Sequence, residues 1–280
     1  MSGYAYYNGA FGSRESISIP LCDRSVFFGD SVYDAMIGMN GRIYQLQEHV
    51  ERLIGNCATL GFPNVPTHGT ISDLLSEVVG RSGFDSYFVY VQISRQRPER
   101  AHPAAGITDC AILITVDDFT LPSPSKRLKL ILCEDKRYEY CNIKTTNLLP
   151  NVIYATEARD RGCDEAILHR GDTVTECAHS NVHIIKNGAL ITHPNGPHIL
   201  PGITRATLID LCELRGIPVV QRPFTLDELF SADEVLITST SKLCIPAESI
   251  DGITVGGRNE NTVRMLSEAM REQFLTRTAR

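Results

Sequence analysis

Lysine is scarce in this sequence, so the residues that could supply a reactive amine can be considered one by one. Six lysines stand against twenty-one arginines. Within the segment 137–147, strand alternation predicts four side chains on one face: Tyr138, Tyr140, Asn142 and Lys144. Tyrosines and apolar neighbours tend to lower the pKa of an amine, and the neutral amine can form a Schiff base. Elimination leaves Lys144 and Lys242, which both lie beside hydroxyl-rich segments. The position of Lys144 suits a reactive amine, and the alternative is a strand-end lysine that extends into water.

The segment 200–205, Leu-Pro-Gly-Ile-Thr-Arg, has the composition of a phosphate site. Gly202 allows close approach of the backbone, and the helix predicted to begin at Thr204 presents free N–H groups. Its first turn carries no carboxylate, so an external anion could lie there, with capping by Thr204 as the alternative. The hydroxyl cluster 238–241, Thr-Ser-Thr-Ser, ends an apolar strand and is a second possible phosphate contact.

Arg100 and His102 concentrate positive charge in a predicted loop after an apolar strand. Such a loop could bind a carboxylate through charge-assisted hydrogen bonds, and the alternative is a solvated basic loop.

His179 and His183, with Cys177 nearby, raise the question of a zinc site. No second pair of ligands follows at a characteristic distance, so we expect two strand histidines and no metal site.

Composition argues against several classes of partner. The 280 residues are 42% hydrophobic and 21% charged, the balance of a globular chain with a packed core. A net charge of −6 disfavours binding to nucleic acid or to an anionic membrane. No apolar run approaches the roughly 18–20 residues that span a bilayer, and signal-peptide features are missing. Nine scattered cysteines favour reduced thiols, so we expect a cytoplasmic protein.

The first half of the chain alternates predicted strands and helices. Asn8-Gly9 and Asn40-Gly41 predict hairpin turns between antiparallel strands. The proline- and serine-rich stretch 120–126 is the predicted linker. Apolar spacing predicts helices over 46–60 and around 74–79, and short apolar runs predict buried strands at 87–93, 111–116 and 128–133.

The second half contains the same kinds of element. The predicted helices cover 150–161, 204 to about 216, and 261–274, and the predicted strands cover 166–169, 182–185 and 234–238, with a hairpin turn at Asn187-Gly188. The fold class is therefore mixed α/β (α+β), with one domain over 1–119 and a second over 127–280.

The order of these segments resembles the fold-type IV pyridoxal-phosphate-dependent aminotransferases, and within them the D-amino-acid transaminases. The resemblance runs nearly end to end and implies a small N-terminal α/β domain and a larger, barrel-like C-terminal α/β domain. Cys177, Ala178 and His179 depart from the glycine, serine and small hydroxyl residues that are common in related sequences. The motifs that carry the resemblance are Phe28-Gly-Asp-Ser-Val-Tyr-Asp34, Glu48-His-Val-Glu-Arg-Leu53, Arg100-Ala-His102, Asn142-Ile-Lys-Thr-Thr-Asn-Leu-Leu149, Glu165-Ala-Ile-Leu-His169, Thr173-Val-Thr-Glu-Cys177, Ser180-Asn-Val182, Gly202-Ile-Thr-Arg205 and Thr238-Ser-Thr240.

The resemblance also implies roles for individual residues. Lys144 would be the Schiff-base lysine and proton shuttle, and Glu176 would keep the pyridine nitrogen protonated, with Arg137 as a supporting partner of Glu176. Tyr33, Arg100 and His102 would bind the substrate α-carboxylate. The remaining contacts to pyridoxal 5′-phosphate would come from Arg52, Leu200, the backbone of Ile203 and Thr204, Ser239 and Thr240.

The implied activity is transfer of the amino group from D-amino acids, such as D-alanine or D-glutamate, to 2-oxo acids, such as 2-oxoglutarate or pyruvate. Relatives of this kind are usually homodimers. The alternatives with the same fold are a branched-chain L-amino-acid transaminase, an (R)-amine transaminase and an aminodeoxychorismate lyase, and Arg100-x-His102 argues against them. A non-catalytic protein that binds a phosphate-bearing ligand is the alternative from a different class, and the presence of Lys144 and Glu176 argues against it.

Overall fold

The computed structural model describes residues 3–97 and 99–279, which form two compact units. The first unit contains the described residues of 1–120, 143–147 and 274–280, and the second contains 121–142 and 148–273. Among the described residues, no helix is both long and apolar enough to cross a membrane.

A six-stranded antiparallel sheet forms the centre of the first unit, in the order β2-β1-β6-β5-β3-β4. Two long helices cover its apolar residues. The elements are β1 (Tyr4–Tyr7), β2 (Ala10–Ser13), α1 (Ser25–Phe28), β3 (Ser31–Met39), β4 (Arg42–Ile43), α2 (Leu46–Thr59), α3 (His68–Ser82), β5 (Ser86–Gln96) and β6 (Asp109–Asp118).

Local sequence explains much of this unit. Asn8 and Gly9 have φ of 42° and 97°, and Asn40 and Gly41 have φ of 54° and 76°, so both predicted hairpin turns are confirmed. The predicted helices are confirmed as α2 and α3, and the apolar face of α2 is buried. The strands predicted at 87–93 and 111–116 are confirmed as parts of β5 and β6.

A ten-stranded mixed sheet that curls into a half-barrel forms the second unit. Its path is β12-β11-β10-β14-β15-β7-β8-β9-β13, with β16 beside β15. The elements are β7 (Leu128–Glu134), α4 (Leu149–Asp160), β8 (Glu165–Arg170), β9 (Thr173–Cys177), β10 (Asn181–Lys186), β11 (Ala189–Thr192), α5 (Ile203–Leu214), β12 (Val219–Gln221), β13 (Phe224–Thr225), α6 (Leu226–Phe230), β14 (Glu234–Ser239), β15 (Leu243–Ile250), β16 (Ile253–Thr254) and α7 (Glu260–Arg277). The predicted mixed α/β class is confirmed, although Pro246 within β15 left that strand unpredicted.

The segment around Lys144 differs from the prediction. Residues 138–144 do not form a strand, so the predicted alternation of their side chains is wrong. The Cys141 N–H donates to the Pro197 carbonyl, a long-range bond that local alternation cannot anticipate. Residues 143–147 belong to the first unit, although they lie within the range 127–280 that was predicted as one domain.

A substitution at Phe274 tests whether the end of α7 belongs to the core of the first unit. Its ring is fully buried, with its centroid 5.5 Å from that of Tyr44. Phe274→Ala should therefore lower the free energy of unfolding by about 3–5 kcal/mol, measured by urea denaturation. The control is Leu275→Ala, which removes a side chain that is 43% exposed and should cost less than about 1 kcal/mol. Equal losses in the two variants would contradict this packing.

Candidate active site

Lys144 is half-buried beside the start of β3. The Tyr33 N–H donates to the Lys144 carbonyl at 2.9 Å, and Val32 and Thr145 form an isolated antiparallel bridge. The Lys144 Nζ lies 4.4 Å from the centroid of the Tyr33 ring, and that ring stacks on Tyr90 with centroids 5.2 Å apart. The predicted nucleophile and one predicted substrate-binding residue are therefore neighbours.

Arg52 is anchored by a carboxylate that sequence reasoning missed. Asp34 is fully buried in β3, and it accepts hydrogen bonds from Arg52 Nε and Nη2, both at 2.8 Å. His49 Nδ1 contacts the same carboxylate at 2.7 Å. Burial alone would raise the pKa of the Asp34 carboxyl, but Arg52 and His49 hold it well below its usual range. The ionised carboxylate therefore fixes the direction of the Arg52 guanidinium.

Arg100 and His102 meet around one aromatic ring. The Arg100 guanidinium lies 5.1 Å from the centroid of the Phe28 ring, and the His102 ring lies 5.1 Å from the same centroid. Both side chains are exposed. The structure thus brings two of the three predicted carboxylate-binding residues together on Phe28, whereas the third, Tyr33, lies beside Lys144.

Glu176 lies in the second unit at the centre of a buried polar network. Its Oε1 accepts a hydrogen bond from Arg137 Nη1 at 2.5 Å, and its Oε2 accepts from Asn181 Nδ2 at 3.1 Å and from the Leu200 N–H at 3.0 Å. The Arg137 guanidinium also donates two hydrogen bonds to Asp135, and the Arg137 N–H donates a third. Burial would lower the pKa of Arg137, but Asp135 and Glu176 raise it, so the guanidinium stays charged beside Glu176.

The N-terminus of α5 has the features of an anion site. The helix begins at Ile203, one residue earlier than predicted, and its N-cap is Gly202, so the alternative of capping by Thr204 is wrong. Among the described residues, no side chain caps this end and no acid lies in its first turn. A Cβ at Gly202 would lie 2.0 Å from Asn181 Oδ1, which explains the glycine.

The predicted hydroxyl contacts lie where β14 ends. Helix α5 packs against β14, and Thr204 is buried whereas Ile203 is half-buried. Ser239 and Thr240 are half-buried, and the Ser239 Oγ is an interior atom without a hydrogen-bond partner among the described residues. A hydroxyl of this kind could donate to a bound anion.

Arg205 is a second feature that sequence reasoning missed. Its side chain is buried in the first turn of α5 and donates to Thr192, to the His193 carbonyl and to Gln221, all neutral groups. Within the described part of the chain no carboxylate pairs with it, and burial lowers its pKa. An uncompensated buried cation adds positive potential to a helix end that already favours anions.

The histidines considered for zinc have other partners. His183 is fully buried between the Thr192 and Thr238 hydroxyls, each at 2.8 Å, whereas His179 contacts the buried carboxylate of Glu165. No group of three or more histidine, cysteine or acidic residues with the geometry of a metal site occurs in residues 3–97 and 99–279.

Comparison with known proteins gives the family. The model of the amino-transferase class IV family matches residues 31–250. A D-alanine aminotransferase of Bacillus licheniformis is 34% identical over 280 residues, 98% of each chain, and one from Listeria monocytogenes is 36% identical over 254 residues, 89% of this chain and 88% of the relative. The chain belongs to the class IV aminotransferase family, whose fold-type IV members use pyridoxal phosphate.

Solved structures share the fold. A branched-chain aminotransferase of Thermoproteus uzoniensis, solved with norvaline, superposes with a TM-score of 0.89 at 24% identity and covers 99% of this chain and 98% of that one. The branched-chain amino acid aminotransferase of Escherichia coli superposes with a TM-score of 0.88 at 23% identity and covers 99% of this chain and 96% of that one.

The groups present suit pyridoxal phosphate. The described residues include an amine at Lys144, a guanidinium at Arg52, a buried carboxylate at Glu176 and a helix end at Ile203 without a side-chain cap. An aldehyde, a phosphate and a basic ring nitrogen call for this set of donors and acceptors.

The sequence could have indicated a buried ion pair only where polar residues interrupt the apolar face of a helix. His49 and Arg52, which bind Asp34, do so on α2.

Burial of His183 predicts a pH dependence of stability. Burial lowers its pKa from 6.5 to about 3, so an unfolded chain takes up a proton as the pH falls below 6.5 while the folded chain does not. The free energy of unfolding therefore falls as the pH falls through this window, because only the unfolded chain gains the His183 proton. Between about pH 7 and about pH 5, His183→Gln should lose about 1–2 kcal/mol less free energy of unfolding than the wild type.

Urea denaturation across this pH range measures the effect. The control is His68→Gln at the start of α3, which should keep the full wild-type loss. Identical losses in the wild type and in His183→Gln would show that His183 titrates normally in the folded protein.

Proposed function

We propose that this protein transfers amino groups between D-amino acids and 2-oxo acids with pyridoxal phosphate as its cofactor. Curated relatives that match nearly the full chain are D-alanine aminotransferases at 32–36% identity. The observation that carries the proposal is the buried Glu176 carboxylate, held by Arg137, Asn181 and the Leu200 N–H. A fixed anion of this kind is what a protonated pyridine nitrogen needs.

Pyridoxal phosphate, when bound, accepts the electrons left behind when the substrate Cα–H bond breaks. Glu176 would hold a proton on the ring nitrogen, and Arg137 would keep Glu176 anionic and in place. Leu200 would pack against the ring, while its N–H already holds Glu176. Glu176, Arg137 and Leu200 would therefore form the part of the site around the ring nitrogen.

Lys144 would carry the cofactor and then act as the general base and acid. Its amine, once released, would remove the proton from the substrate Cα and return it at the cofactor C4′ atom. The Tyr33 ring below the amine and the bond from the Tyr33 N–H to the Lys144 carbonyl limit the directions that this side chain can take.

The phosphate contacts would come from a guanidinium, a helix end and two hydroxyl groups. Arg52 would supply a guanidinium oriented by Asp34, and the N–H groups of Ile203 and Thr204 would supply the helix end. Ser239 and Thr240 would add hydroxyl donors. The buried Arg205 in the first turn of the same helix would add positive potential that favours the dianion.

Substrate recognition would depend on the carboxylate. Tyr33, Arg100 and His102 would bind the substrate α-carboxylate on one side of the site, which turns the Cα–H bond of the D-enantiomer toward Lys144. The preference for D-amino acids follows from this orientation. The acceptors of the second half-reaction would be 2-oxo acids such as 2-oxoglutarate or pyruvate.

We further propose that the protein is a cytoplasmic homodimer. All nine cysteines are free thiols, which suits a reducing compartment. Three apolar side chains of α4 are unusually exposed for a single chain: Leu149 at 72%, Val152 at 57% and Ile153 at 56%. A second copy of the chain is the occupant we propose for this face.

Light scattering tests the homodimer. The wild type should have about twice the chain mass of 31.0 kDa. Val152→Glu, which puts a charge on the exposed face of α4, should shift the population toward monomer because an unpaired charge is costly to bury. The control is Leu214→Glu at an isolated site that is 79% exposed, which should remain dimeric. A monomeric wild type would rule out the dimer.

Half-reactions of the cofactor-loaded protein test the activity. D-Alanine should convert the absorbance of the cofactor to that of its pyridoxamine form, whereas L-leucine and (R)-1-phenylethylamine should do so far more slowly. Conversion by L-leucine but not by D-alanine would instead favour a branched-chain enzyme. Lys144→Ala should abolish the lysine-linked absorbance band, and an unchanged band would favour a non-catalytic phosphate-ligand binder.

A further inference from the structure

The loop that carries Arg100 and His102 is held by an arginine buried beneath it. Arg24 lies just before α1, and its side chain is only 5% exposed. Its Nη1 donates to the Ala101 carbonyl, and its Nη2 donates to the His102 carbonyl at 3.0 Å. One guanidinium thus binds two successive carbonyls of the carboxylate-binding loop.

The third nitrogen of the Arg24 guanidinium is also used. Its Nε donates to Asp30 Oδ2 at 2.6 Å, which neutralises the buried guanidinium. Asp30 Oδ1 also lies 3.5 Å from the Nε atom of a second arginine, Arg95. The Arg95 side chain donates a hydrogen bond to the Leu60 carbonyl and not to the loop. A planar guanidinium that meets a carboxylate and two carbonyls has one orientation available, and an ammonium cannot reproduce it.

Phe28 connects Arg24 to the loop side chains. The Arg24 guanidinium lies 4.6 Å from the centroid of the Phe28 ring, and Arg100 and His102 both contact this ring at 5.1 Å. Arg24 therefore acts on the loop in two ways, through the carbonyls of residues 101 and 102 and through the ring that supports the two side chains.

We propose that Arg24 is a positioning residue for the carboxylate-binding loop and sets the affinity of the enzyme for the α-carboxylate of its substrate. The inference rests on the proposed function, because it takes Arg100 and His102 as the groups that bind that carboxylate. Arg24 itself does not contact the substrate. It fixes the backbone from which these two side chains extend, and small displacements of such groups weaken binding strongly.

The test compares Arg24→Gln and Arg24→Lys with the wild type in the cofactor-loaded protein. Arg24→Gln should raise KM for D-alanine by about ten-fold or more while kcat changes by less than about three-fold, because binding and not chemistry is affected. Arg24→Lys should lie close to Arg24→Gln, since lysine keeps the charge beside Asp30 but cannot bind both carbonyls.

Competitive inhibition by propionate, a carboxylate without an amino group, should weaken in parallel with KM. The cofactor absorbance before substrate is added should stay unchanged in both variants. The matched control is Arg95→Gln, which removes the other arginine beside Asp30 without touching the loop carbonyls. This control should lower thermal stability but leave KM and propionate inhibition near the wild-type values.

The outcomes separate the two proposals. A wild type that fails to convert D-alanine overturns the proposed function and this inference with it. A wild type that converts D-alanine, with KM and propionate inhibition unchanged in Arg24→Lys or Arg24→Gln, overturns this inference alone. A fall in kcat with unchanged KM, or an equal rise of KM in Arg95→Gln, would likewise show that Arg24 only supports the fold.

Discussion

The backbone pairing between the start of β3 and residues 143–147 determines where Lys144, the proposed Schiff-base lysine, lies. Two hydrogen bonds form the antiparallel bridge between Val32 and Thr145: the Tyr33 N–H donates to the Lys144 carbonyl, and the Thr146 N–H donates to the Ser31 carbonyl. Neighbouring residues of a strand face opposite sides. One strand end can therefore present the Tyr33 ring to Lys144 and the Asp34 carboxylate to Arg52.

Buried charge recurs in both units, and each instance is compensated differently. Arg52 and His49 lower the pKa of the Asp34 carboxyl, and Arg137 binds the buried Glu176. Removal of the arginine from either pair would leave a buried carboxyl group without its cation, which is costly. Arg205, by contrast, has only neutral partners among the described residues. This asymmetry suits a site whose missing negative charge arrives with a phosphate-bearing cofactor.

Local signals explain what could be predicted from sequence. Asn-Gly pairs define turns because both residues adopt positive φ, and apolar spacing defines α2 and α3 because each buries one face. Residues 138–144 were wrongly predicted as a strand because their partner, Pro197, is distant in sequence. Arg24 was missed for the same reason, since its carbonyl partners lie 77 and 78 residues away. The roles of the individual site residues stay predictions until they are tested.

The contribution of α7 to the first unit has a consequence for how the protein is made. Phe274 packs on Tyr44, and Asn40 donates to the carbonyl of Thr278, so the β3–β4 hairpin region contacts residues more than two hundred positions later. A ribosome must therefore synthesise the whole second unit before the earliest-made sheet can bury this part of its surface. Until then the nascent chain exposes an apolar patch, and chaperone contact during translation should concentrate there.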